Sequence, residues 1–125
     1  GSSSGDYFNL FIENGVPKLQ APSLVSDTTL SASTWHHLAI TKDTSSATHV
    51  LRMYVDGTKV AQTDDNRTWL TGTDRPLIGA IGYNTTSLSG YYFKGYIQDF
   101  RISLGLARYT ADNETSNIPS SPLKG

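Results

Sequence analysis

The chain has no cysteine, so neither a disulfide framework nor a thiolate metal site can hold it. Its stability has to come from burial and backbone hydrogen bonding. Glutamate is nearly as scarce, with Glu13 and Glu114 the only two in 125 residues. Glycoside hydrolysis needs two carboxyl groups flanking one bond, and these two stand in no motif spacing. No stretch approaches the roughly 18 consecutive apolar residues of a membrane-spanning helix, which argues against membrane insertion. Lysine and arginine total 10 against 11 acidic residues, and they are scattered from Lys18 to Lys124. No basic stripe tracks a phosphate backbone, so nucleic acid is not an expected partner. A nucleophile elbow, a P-loop, a His-Glu-x-x-His pair and a Gly-x-Gly-x-x-Gly turn are all missing, leaving no catalytic residue to name and no enzyme to expect. Methionine occurs once, at Met53, so a chain opening on Gly1 reads as a processed or excised piece.

What is present is a composition of short strands and polar turns. Hydrophobic residues make up 37% and charged residues 17%, and Ser, Thr, Gly and Asn fill the connections. The length suits one domain, with residues 1–5 as a flexible lead and residues 6–125 as the folded body. The expected class is all-β.

Asp6-Tyr7-Phe8-Asn9-Leu10-Phe11-Ile12, then Glu13-Asn14-Gly15 and Val16-Pro17-Lys18-Leu19-Gln20, reads as a hairpin on a type I′ turn. Pro17 lacks an amide donor, which puts the return strand at an edge or confines it to a short pairing. Residues 21–34 read as a connection with at most one short strand. In Trp35-His36-His37-Leu38-Ala39-Ile40-Thr41, both faces carry apolar groups, as in a central strand. Val50 to Val55 turns at Asp56-Gly57 and returns through Thr58 to Gln62. That register sets Met53 opposite Val60 and puts Leu51, Met53, Val55 and Val60 on the core side. Leu77 to Tyr83 reads as a glycine-relieved strand, residues 84–90 as a loop, and residues 91–103 as the longest strand, with a bulge or a change of sheet near Gln98-Asp99. A single helical turn is expected around Leu106 to Tyr109.

Three of these segments resemble one family. Trp35-His36-His37-Leu38-Ala39 is similar to the Trp-x-His-[Val/Leu]-Ala element of laminin-G-like, concanavalin A-like jelly rolls. The Tyr54-Val55-Asp56-Gly57 turn resembles the hairpin that follows it there. Phe93-Lys94-Gly95-Tyr96-Ile97-Gln98-Asp99-Phe100-Arg101-Ile102 is similar to the closing strand. The order and the span of about seventy residues make the match more specific than any one element. The resemblance implies an antiparallel jelly-roll β-sandwich, and Ala107-Arg108-Tyr109-Thr110 resembles forms carried by bacteriophage structural and bacterial surface proteins. The opening strand usual in that family has no counterpart, and Asn113 stands where a phenylalanine is common. The expectation is therefore a sandwich lacking its N-terminal strand, with an edge covered by a neighbouring copy, a partner chain or upstream residues.

Candidate ligand groups are few. Trp69, Tyr83, Tyr91 and Tyr92, with Asn84, lie in or beside the two polar loops and combine aromatic faces with hydrogen-bonding groups suited to a pyranose. Asp64, Asp65 and Asn66 concentrate oxygen ligands and are the weak calcium candidates, although calcium takes six to eight oxygens; no other cofactor is expected. His36 and His37 point to opposite strand faces and cannot share a metal. His37 is expected to be buried and hydrogen-bonded beside Trp35, and His49 solvated. Asp99 and Arg101 read as a structural ion pair, and the acceptor sequences at Asn66, Asn84 and Asn113 as surface loops. Together these readings anticipate a non-enzymatic adhesion or display module on a virion or an extracellular surface. Its partner would be a cell-surface glycan or other subunits of an oligomer or larger particle. The alternative is a purely structural assembly or decoration domain.

Overall fold

The type I′ turns form where the dipeptides require them: Asn14 and Gly15 have φ of 51° and 77°, and Asp56 and Gly57 have φ of 51° and 82°. Positive φ at both central residues gives the turn the twist of the strands it joins. These coordinates are a computed structural model, and the structure describes residues 9–20, 23–67, 78–79, 81–82, 88–90, 92–103 and 105–120. Two compact units are distinguished. One holds the first six strands with residues 105–120, and the other holds residues 78–102.

In the first unit, β1 (Asn9–Glu13), β2 (Val16–Gln20) and β3 (Leu24–Val25) form an antiparallel sheet in that order. Pro17 is therefore on a central strand, and the edge reading is corrected. Short pairing is what accommodates it. Glu13↔Val16 flank the turn, so Pro17 falls on a pair whose backbone polar groups face β3, and the ladder there stops after Lys18↔Val25 and Leu19↔Leu24. The Pro17 carbonyl still accepts the Ser26 N–H at 2.9 Å.

The second sheet is β4 (Leu38–Asp43), β5 (Val50–Val55) and β6 (Thr58–Asp64), with β5 central. β4 is an edge strand among the described residues, against the central position expected of it, and its regular pairing begins at Leu38. The hairpin register is Val55↔Thr58 and Tyr54↔Lys59, then shifts so that Met53 faces Ala61 and not Val60. The extra residue is a bulge. It allows Val60 to enter the core while Ala61 packs beside it.

Both sheets turn their apolar faces to one core: Leu19 and Leu24 from the first, and Leu51, Met53, Val55 and Val60 from the second. Burial of each such side chain stabilises by roughly 1.5–3 kcal/mol relative to exposure. The Asp27 N–H joins the sheets by donating to the Val60 carbonyl at 3.0 Å.

The opposite face of the second sheet is covered by residues 109–117, which form a strap, and the helical turn expected around Leu106 to Tyr109 is corrected, since residues 105–110 contain no helix. Thr58 bridges to Asn113, Lys59 N–H donates to the Asp112 carbonyl at 2.9 Å, and Glu114 N–H donates to the Gly57 carbonyl at 2.6 Å. Under the strap, Tyr54 is fully buried although it points away from the core. Its hydroxyl donates to the Ala111 carbonyl at 2.8 Å, and its ring packs 5.7 Å from that of Tyr109.

In the second unit, β7 (Ile81–Gly82) pairs antiparallel with β8 (Leu88–Gly90), so part of the expected loop is strand. Residues 92–103 form no strand, contrary to the expectation of the longest one. A strand exists by repeated pairing, and among the described residues this segment has no strand ladder, only single contacts such as the Phe93 N–H donating to the Gly79 carbonyl at 2.7 Å. Asp99, with φ of 56°, turns the chain where the sequence placed a bulge. That turn breaks the alternation that would have put Asp99 and Arg101 on one face, and no ion pair between them forms among the described residues.

Candidate functional site

Of the aromatic set proposed for sugar binding, Tyr92 is described and is 63% exposed. Trp69, Tyr83, Asn84 and Tyr91 lie outside the described residues.

The calcium candidates are placed at the end of β6, where Asp65 Oδ1 and Asn66 Oδ1 accept from protein donors and the buried Asp65 Oδ2 accepts no hydrogen bond among the described residues. Asp65 is buried at 5% exposure. Its Oδ1 accepts from Arg67 Nε at 2.9 Å and from the Arg67 N–H at 3.2 Å, and its Oδ2 lies 3.6 Å from Lys42 Nζ. Lys42 also donates to the Arg67 carbonyl. Burial pushes the Asp65 carboxyl up, but the Arg67 hydrogen bonds and the Lys42 charge outweigh it and hold the group below the usual carboxylate range. Asn66 Oδ1 accepts the His49 N–H at 2.7 Å, and the His49 carbonyl accepts the Asp65 N–H at 2.9 Å. Asp64 stays exposed at the strand end, paired with Val50. Asp65 and Asn66 thus tie the end of β6 to Lys42 of β4 and to His49 just before β5. The described residues contain no group of three or more His, Asp or Glu side chains arranged to hold a metal ion.

The cluster that sequence reasoning missed lies where three segments meet. His36 Nδ1 is 2.8 Å from Asp56 Oδ2, and its Nε2 is 3.0 Å from Ser31 Oγ and 3.1 Å from the Ser31 carbonyl. Asp56 Oδ1 accepts the His37 N–H at 2.8 Å, and the Asp56 N–H donates to the His37 carbonyl at 2.8 Å. One aspartate thereby carries the β4–β5 ladder past its last strand pair. The Asp56 hydrogen bond is the main cause of a raised His36 pKa. For Asp56, burial works upward, but the bonds from His36 and His37 win and hold it low. The Asp-Gly turn was legible in the sequence, but its 20-residue separation from His36 gave no signal of contact.

His37 is half-buried where a buried, hydrogen-bonded ring was expected, and its ring packs against Tyr109. The two rings meet edge-on at 5.9 Å, and His37 Nδ1 has no hydrogen-bond partner among the described residues. Burial lowers its pKa. Trp35 stands 64% exposed.

Both glutamates have partners within their own local structure. Glu13 pairs with Lys18 at 2.6 Å beside the first turn. Glu114 Oε1 accepts the Thr110 and Ala111 N–H groups at 3.0 and 2.9 Å, and its Oε2 accepts from Asn117 at 2.6 Å.

Over residues 2–105 the sequence matches Laminin_G_3, a family of the concanavalin A-like lectin/glucanase superfamily. The chain belongs to this family. No curated protein and no solved structure matches it. For a Laminin_G_3 domain the two facing three-stranded sheets are the local expression of a jelly-roll sandwich, and the Trp35–Thr41 and Tyr54–Gly57 elements of the resemblance occupy β4, its lead-in and the β5–β6 turn. The superfamily spans both lectins and glucanases, so membership gives the architecture and leaves the chemistry to the residues.

Proposed function

We propose that this Laminin_G_3 domain is a non-enzymatic, lectin-like adhesion or display module of a virion or cell-surface structural protein. Membership in a superfamily of lectins and glucanases, in a chain with only two glutamates, is the observation that carries this reading. Hydrolysis by the usual route requires a pair of aspartate or glutamate carboxyl groups about one glycosidic bond; no Glu-x-Asp-x-x-Glu run, which places such a pair on one strand, occurs in the sequence, and Glu13 and Glu114 each serve a different local structure. The ligand surface is assigned to Trp69, Tyr83, Asn84, Tyr91 and Tyr92, whose aromatic faces would take the apolar side of a pyranose. The exposure of Tyr92 supports it. A glycan array run with the wild type and with the Trp69→Ala and Tyr91→Ala variants tests the reading. Binding lost in both variants is expected; absence of wild-type binding, or binding indifferent to both changes, removes it.

A second reading, a purely structural assembly or decoration domain, is favoured by residues 92–102. Tyr92, Phe93, Tyr96, Ile97, Phe100 and Ile102 are all exposed, Tyr96 at 87%. So many exposed large apolar side chains in one short segment support an interaction surface. Light scattering across a concentration series should show oligomers that Tyr96→Lys with Phe100→Lys disperses, and a monomer at every concentration would count against oligomer formation.

A further inference from the structure

We propose that Ser31, His36 and Asp56 form a proton-operated clasp that holds the 31–35 loop, with its exposed Trp35, against the β5–β6 turn in acid and releases it as the pH rises. The argument begins with valence. Both ring nitrogens of His36 face oxygen: the Asp56 carboxylate at Nδ1, and the Ser31 carbonyl and hydroxyl at Nε2. A carboxylate and a carbonyl only accept, and a neutral imidazole carries one N–H. The imidazolium alone satisfies both at once.

When the proton leaves, the remaining N–H stays with the charged partner Asp56. Nε2 then presents a lone pair to the Ser31 carbonyl. The Ser31 hydroxyl can still donate to Nε2, but the carbonyl loses its donor, so the Ser31 side of the clasp is the one that lets go. Ser31 is exposed, so water takes over the carbonyl, and a neutral hydroxyl bond is left where a charge-assisted one stood; bonds to an ionised partner are roughly twice as strong as neutral ones.

The surrounding charges do not offer another explanation. Asp56 is the anion facing His36, and His37 turns to the opposite face, against Tyr109. Across Gly57 the strap brings Glu114, whose carboxylate is occupied by Thr110, Ala111 and Asn117. On the same hairpin Lys59 is paired with Asp112 at 2.6 Å. The adjacent histidines therefore titrate apart, His36 above and His37 below the ordinary value.

The test is a ring-nitrogen NMR titration of the whole chain, with amide exchange corrected for intrinsic rates. His36 should titrate above the ordinary histidine value of about 6.5, with Nδ1 and Nε2 both protonated below that midpoint. Protection of the amides of residues 31–37 should fall several-fold across the same midpoint, without loss of global signal dispersion. His36→Gln, which can donate to Asp56 but cannot titrate, should flatten that profile; Asp56→Asn should bring the His36 midpoint down towards the ordinary value. A wild-type His36 midpoint at or below the ordinary value overturns the proposal, as does loop protection that does not follow the His36 midpoint. This reading does not depend on glycan binding, so a negative array leaves it standing or falling on its own titration.

Discussion

Tyr54 and Gly57 show how the strap acts on single residues. Tyr54→Phe keeps the buried ring and removes the hydroxyl that donates to Ala111, so it should cost about 1 kcal/mol in urea unfolding, the net worth of a typical hydrogen bond. Gly57→Ala should cost more. A Cβ there would sit 2.6 Å from Thr115 Cα, on a backbone with φ of 82°, and such strain alone is worth roughly 1–3 kcal/mol. Equal midpoints for the two variants would mean that the strap does not pack over the turn. Of these features, the Asp56-Gly57 turn was legible because a dipeptide encodes it. The burial of Tyr54 was not: alternation put it on the outer face, and the cover comes from residues 57 positions away.

At the scale of the element, the β5–β6 hairpin is the part that the sequence described most fully. Leu51, Met53, Val55 and Val60 all reach the core as expected, although the register beyond Tyr54 slips by a bulge that no turn residue announces. Leu51 is fully buried, and Leu51→Ala should destabilise by about 2–5 kcal/mol through lost contact and residual cavity. The same substitution at exposed Leu106 should fall within about 0.5 kcal/mol of wild type. Chemical denaturation of both variants checks the contrast. Pro17 and residues 92–103 mark the opposite limit. Proline reports a missing donor but not which neighbour will tolerate it, and apolar alternation reports strand propensity but not whether a partner exists.

For the whole molecule, pH is the variable that separates the ionisable groups. Glu114 is held below the usual glutamate range by the Ala111 N–H, Asn117 and the Thr110 N–H. A depressed folded pKa gives stability that is complete above the unfolded value and disappears as pH falls through the folded one. Acid should therefore loosen the strap, and Glu114→Gln should be less stable at neutral pH with a shallower acid limb. A thermal-melt series between pH 3 and 7 reads both, and parallel acid limbs would refute the assignment. The histidines act in opposite senses on either side of the ordinary histidine value. Stability from His36, raised by Asp56, is complete below the ordinary histidine value and fades as pH climbs through its folded pKa. That from His37, lowered by burial, is complete above the ordinary value and fades as pH drops through its folded pKa. A global melt sums the two, so a flat profile near neutrality is compatible with both.

The chain's residues were enough to specify an all-β class, two hairpins on two-residue turns, the core positions of β5 and β6, and the family, because turn dipeptides and two-residue alternation act over neighbours in sequence. Only the folded chain decided that Pro17 sits on a central strand, that Asp65 and Asn66 serve Arg67, Lys42 and His49 as partners, and that His36 meets Asp56 and Ser31. Each of those outcomes depends on which distant segment supplies a donor, an acceptor or a cover. That choice is made by packing, and no local spacing records it.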